Sequence, residues 1–189
     1  MTKTFWQSKS DRAIVVFLCL ALPFLLVVTL DVSPRPAFVV TEAGEPKDGR
    51  AELRWNRVLK PGLRVREYGI VKTRTASVTL RHEGTLVTVN ARSNMEVRSI
   101  TPDRIELLAT RGHWSIRPDR EVTTCTRAVC TTSSSPIEIF YYTPGEVVRI
   151  IAGGPTTVTF RNQIVDLASG DRLTLDELTG ATDLVRTTP

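Results

Sequence analysis

The chain has 189 residues, a mass of 21.0 kDa, a net charge of +5 and a pI near 9.4. Hydrophobic residues make up 41% and charged residues 24%, which excludes a disordered tail and fits one folded domain with an appendage. Two histidines and three cysteines leave little material for a metal cluster.

The first element is apolar. Ala13 to Leu30 carries no charge, and Thr29 is its only polar residue. As a helix this run is about 27 Å long, close to the roughly 30 Å hydrocarbon core of a bilayer. The pattern predicts a membrane helix over residues 13–32, with Ala13, Val16, Leu20, Pro23, Leu26 and Leu30 as anchor residues in the bilayer. Pro23 removes one helix hydrogen bond and is tolerated where neighbouring helices compensate. The alternative is a removable signal peptide. Thr29 to Pro34 offers no A-x-A cleavage pattern, so the retained anchor is expected. Lys3, Lys9 and Arg12 precede the run and place the N-terminus in the cytoplasm. Residues 1–12 then form a cytoplasmic tail, 33–49 a linker, and 50–189 an exported, periplasmic domain of a single-pass protein in the bacterial inner membrane.

Beyond the linker the hydrophobic period becomes two. Leu53 and Trp55 alternate with Arg54 and Asn56. The same alternation runs through Ser77–Arg81, Thr85–Asn90, Met95–Ile100, Arg104–Ala109, His113–Arg117, Ile137–Tyr142, Gly145–Ile151, Thr156–Phe160, Gln163–Leu167 and Arg172–Leu175. About ten short strands at this spacing predict a mainly β sandwich or roll behind one N-terminal transmembrane helix. Asp176 to Val185 suggests one short helical turn. Ser77 to Val97 and Thr157 to Leu175 share their apolar positions at nearly every step, a weak internal repeat of a three-strand unit.

Cys125 and Cys130 sit in the Thr/Ser-rich stretch Val122–Ser135. Their spacing suits a local disulfide across a hairpin in an oxidising compartment; free thiols are the alternative, and a metal site would need further ligands. Cys19 lies in the apolar run. His82 and His113 have no nucleophile beside them in sequence, and no G-x-S-x-G, H-E-x-x-H or phosphate loop is present. No catalytic residue, metal ligand, cofactor or small-molecule substrate is therefore expected.

The candidates for partner contact are basic and aromatic. Arg54, Trp55, Arg57, Arg64 and Arg66 follow the linker, and an exported location keeps them from nucleic acid while leaving lipid heads and acidic partner surfaces. Tyr141 and Tyr142 belong to the densest aromatic cluster, and consecutive strand residues point to opposite faces. One of the two is expected to face outward.

The segments Gly69–Leu80, Leu86–Val97 and Arg104–Ile116, with Val147–Gly154 and Leu167–Leu173 later, resemble the exported domain of iron-dicitrate sensor (FecR-like) proteins. The resemblance spans residues 65–178 and implies an exported β domain with a sensing or regulatory role. Members of that family commonly carry a cytoplasmic anti-sigma segment before the membrane helix, where this chain has twelve residues. Cys125 to Tyr142 departs from the family pattern. Two functions follow: a non-catalytic scaffold or accessory subunit docked on integral membrane partners of a larger complex, or an envelope sensor of the FecR-like kind.

Overall fold

Alternation of apolar and polar residues builds two β-sheets whose inner faces meet. The computed structural model describes residues 35–43, 52–53, 57–142 and 145–187. The expected membrane helix over 13–32, with its anchor residues, lies outside them. No helix among the described residues is long and apolar enough to cross a membrane.

The described residues form seventeen strands: β1 (Ala37–Ala43), β2 (Glu52–Leu53), β3 (Arg57–Val58), β4 (Arg64–Arg66), β5 (Ile70–Lys72), β6 (Val78–His82), β7 (Thr85–Val89), β8 (Asn94–Ile100), β9 (Arg104–Arg117), β10 (Glu121–Cys125), β11 (Val129–Ser133), β12 (Ile137–Tyr142), β13 (Val147–Ala152), β14 (Thr156–Phe160), β15 (Gln163–Leu167), β16 (Arg172–Asp176) and β17 (Thr182–Val185). Sheet I runs in the order β4-β1-β6-β7-β9-β12-β13-β16-β17. Sheet II runs β3-β2-β5-β8-β9-β10-β11-β14-β15. Among the described residues every pairing is antiparallel except β9 with β10.

Strand β9 belongs to both sheets. Its first half pairs with β8 and β10, its second with β7 and β12. A strand that leaves one sheet for the facing one must shift which residues look inward. Ile105, Leu107 and Ala109 are buried in the first half, Trp114 and Ile116 in the second. The alternation slips between them at Gly112, whose φ is +117°. A Cβ there would stand 2.2 Å from Ser93 Oγ, so only glycine fits.

The inner faces form one apolar core, with Trp114, Phe38, Leu80, Met95, Ile139 and Leu173 among its largest fully buried side chains. Each such side chain contributes about 1.5–3 kcal/mol on burial.

Several expectations change. Ala37–Ala43, inside the stretch expected to be linker, is a strand paired with β4 and β6, because Phe38 and Val40 are buried in the core. The two strands expected at Arg104–Ala109 and His113–Arg117 are one. Val122–Ser135 holds the expected hairpin, as β10 and β11, consistent with the β preference of threonine. Asp176–Val185 is not helical. Asp176 Oδ1 accepts the backbone N–H groups of Leu178 and Thr179 in a side-chain-capped turn, and β17 follows.

The internal repeat has a structural counterpart. β6 and β7 form a hairpin in sheet I and β8 follows in sheet II; β14 and β15 form a hairpin in sheet II and β16 follows in sheet I. The paired apolar positions Val87 and Val165, Met95 and Leu173, and Val97 and Leu175 occupy matching steps, buried except for the half-buried Val165.

Candidate functional site

Among the described residues, the predicted contact residues lie on separate strands. Arg54 and Trp55 lie outside the described residues, and Arg57 is placed on β3, an edge strand of sheet II. Arg64 and Arg66 are exposed on either side of buried Val65 in β4, which, among the described residues, pairs with β1 alone at the edge of sheet I. Charges on an edge strand discourage pairing with another chain. β12, which carries the tyrosines, is five strands away, roughly 24 Å at the usual strand spacing.

Tyr141 is not available to a partner. It points into the core at 5% exposure, and its hydroxyl donates to Glu177 Oε2 at 3.0 Å. Glu177 is itself buried, and its Oε1 accepts from Thr126 Oγ1 at 2.6 Å and Ala128 N at 3.1 Å. Burial, helped by the hydrogen bond to this carboxylate, pushes the Tyr141 phenol up to about 12. Alternation along β12 sends this side chain inward because Ile137 and Ile139, four and two residues earlier, already face the core.

Tyr142 faces out at 50% exposure. It heads an aromatic ladder on the outer face of sheet I. Its ring lies parallel to that of Phe140, with centroids 6.3 Å apart, and Phe140 stacks on His113 at 3.9 Å and 13°. Phe140 and Tyr142 share a face because they are two apart in one strand. His113 joins them because β9 and β12 pair Phe140 directly with His113. On the other side, β13 sets exposed Arg149 opposite Phe140 and Val147 opposite Tyr142. Glu138 completes the outer row of β12, its Oε2 3.7 Å from His113 Nε2. Burial lowers the His113 pKa below its ordinary value, and Glu138 opposes the shift. The imidazole therefore favours its neutral form. Sequence reasoning passed over His113 and Phe140 as contact residues, because the register that unites them is long-range.

Cys125 and Cys130 are directly opposed in β10 and β11 and joined by a disulfide. Among the described residues no group of three or more His, Cys, Asp or Glu could hold a metal ion. The ladder offers a rigid, partly apolar contact face with a neighbouring cation.

No protein-family model matches the chain. No curated protein matches it either. Two crystal structures of a protein from Parabacteroides distasonis, described as a candidate anti-sigma factor, are similar to it. Each has a TM-score of 0.49 and 16% identity, over 55% of this chain and 52% of that one. The chain thus spans about half the length of the protein it matches, at a level of likeness that carries no functional inference.

Proposed function

We propose that this chain is a non-catalytic, single-pass protein of the bacterial inner membrane whose periplasmic β domain docks onto integral membrane subunits of a larger complex. The observation that carries this reading is the ladder of His113, Phe140 and Tyr142 on the outer face of sheet I, beside Arg149. Aromatic and arginine side chains are the residues most enriched in binding hot spots. The apolar run Ala13–Leu30 and the basic residues before it support a membrane anchor with a cytoplasmic N-terminus. The bridge between Cys125 and Cys130 suits an oxidising compartment.

Tagged full-length protein extracted in mild detergent should bring down stoichiometric membrane partners. The double substitution Phe140→Ser and Tyr142→Ser should release them, and Arg64→Ser on the distant edge strand should not. A clean monomer from the unaltered chain would overturn the proposal. Protease added outside spheroplasts should digest the β domain; full protection would refute the topology.

A second reading, an envelope sensor or regulator, is favoured by the FecR-like pattern of strands and turns over residues 65–178. Deleting the protein would then alter transcription of envelope genes, with no stoichiometric partner recovered.

A further inference from the structure

The internal repeat extends to the neighbours of each strand. β6 lies between β1 and β7, and β14 lies between β11 and β15. β8 lies between β5 and β9, and β16 lies between β13 and β17. β17 therefore corresponds to the first half of β9. A shared anchor supports the match: Ser93 Oγ accepts from His113 N at 2.9 Å, and Asp171 Oδ1 accepts from Thr187 N at 3.0 Å.

One neighbour has no counterpart among the described residues. The second half of β9 runs antiparallel along β7, with Arg117 opposite Leu86, Ile116 opposite Val87 and Ser115 opposite Thr88. The corresponding residues of β15 are Ile164, Val165 and Asp166, and among the described residues β15 pairs with β14 alone. The exposures record the difference. Val87 is fully buried and Val165 half-buried; Leu86 is half-buried, whereas Ile164 is 70% exposed. Phe160 and Gln163 flank a two-residue loop and so exchange backbone hydrogen bonds. Counting from that pair, the N–H and C=O groups of Ile164 and Asp166 point away from β14. A sheet edge of this kind accepts a further strand.

The repeat also says what fits there. Along β7 the added strand reads Ser115-Ile116-Arg117: a polar residue, a β-branched apolar residue facing the core, then an arginine. β4 reads Arg64-Val65-Arg66, with Val65 buried, and stands at the far end of sheet I. Laid antiparallel on β15, it sets Arg66 opposite Ile164, Val65 opposite Val165 and Arg64 opposite Asp166. Val65 and Val165 then share the inner face, Arg66 repeats the contact of Arg117 with Leu86, and Arg64 meets a carboxylate.

The two edges are complementary in charge. β4 has no acidic residue and β15 no basic one. On β1, Ala37 and Val39 stand opposite the two arginines, so no carboxylate faces them there. On β14, Thr157 stands opposite Asp166 and donates to it at 2.9 Å, so no cation faces it there. Arginines deter pairing between two β4 edges and favour an edge that carries a carboxylate.

We propose that the β15 edge of one copy takes up the β4 strand of a second copy, joining sheet II of the first to sheet I of the next. The contact is heterologous, so each copy keeps one edge of each kind and the copies form rows or closed rings. It does not involve the aromatic ladder.

The experiment follows full-length protein, purified alone in mild detergent, by sedimentation over a range of concentrations. The unaltered chain should associate as concentration rises. Asp166→Arg and Arg64→Glu each set like charges opposite one another, and each should weaken association by roughly fivefold or more. A mixture of the two variants should associate again, because each supplies an edge that the other matches; misfolded variants would not. A monomer at every concentration, or a mixture that stays monomeric, would overturn the proposal. Association lost in Asp166→Arg and retained in Arg64→Glu would refute it in favour of two β15 edges meeting each other. A monomer whose Ile164 amide is protected from exchange would refute it in favour of an edge covered by the chain itself. Partner recovery through Phe140 and Tyr142 is a separate measurement, so either result can fail alone.

Discussion

Arg92 and Gly170 hold the same place in two copies of one turn, both in the left-handed region, at φ 58° and 86°. The first turn joins β7 to β8 and the second joins β15 to β16. The next residue is a buried polar anchor in both, Ser93 in one and Asp171 in the other. Ser93 takes the N–H of His113, and Asp171 takes those of Ala168 and Thr187.

A left-handed backbone costs a residue with a Cβ about 1–2 kcal/mol, and glycine is free of that cost. Glycine also enlarges the unfolded ensemble, which removes about 0.4–1 kcal/mol of the gain. Arg92→Gly is therefore expected to raise stability by roughly 0.5–1 kcal/mol in urea unfolding. A fall in stability would show that the arginine side chain contributes contacts that outweigh the strain.

The β class, most strand positions and the disulfide pair were legible in the sequence because each rests on local information. Period-two alternation marks Thr85–Val89 and Ile137–Tyr142 directly, and Cys125 and Cys130 need only a hairpin to meet. The slip in alternation between Ala109 and Trp114 was legible too, but it reads equally as a break between strands. Only pairing to both sheets shows one strand bending at Gly112. β1 was hidden because seven residues after a Pro-rich stretch look like a linker until Phe38 and Val40 find the core. The ladder was not legible. His113 meets Phe140 across 27 positions of sequence.

Tyr141 and Glu177 form a buried polar pair beneath the candidate site. Tyr141→Phe removes the donor to Glu177 Oε2 and leaves Oε1 with Thr126 and Ala128. Loss of a buried hydrogen bond to a carboxylate costs about 1–3 kcal/mol, so the thermal midpoint should fall by several degrees. In alkaline absorbance titration, the phenol that ionises near pH 12 should vanish from this variant. An unchanged midpoint would mean that the hydroxyl adds nothing to the fold.

His113 gives the candidate site a pH response. Its folded-state pKa lies below the ordinary 6.5, first through burial, with Glu138 pulling the other way. Between the folded value and 6.5 the unfolded chain binds more protons than the native one, so stability rises with pH across that window. The contribution is complete above 6.5 and is lost as pH falls through the folded value. His113→Phe preserves a ring against Phe140 and removes the titration. Urea unfolding of the two proteins between pH 8 and pH 5 should show the steeper acid loss in the unaltered chain; parallel curves would exclude His113 as its source.

The disulfide closes a ring of only six residues, Cys125 to Cys130. Chain-entropy reasoning assigns so short a ring about 2 kcal/mol. The strands it joins are held independently, β10 by β9 and β11 by β14, so reduction should not dissolve the sheet. Reductant, or the double substitution Cys125→Ser and Cys130→Ser, should lower the thermal midpoint by roughly 4–8 °C for a domain of this size. Amide exchange should quicken first at Thr126 and Val129, whose hydrogen bonds close the turn. If β9 and β14 lose protection at the same time, the bridge holds sheet II as a whole and the strands do not stand without it.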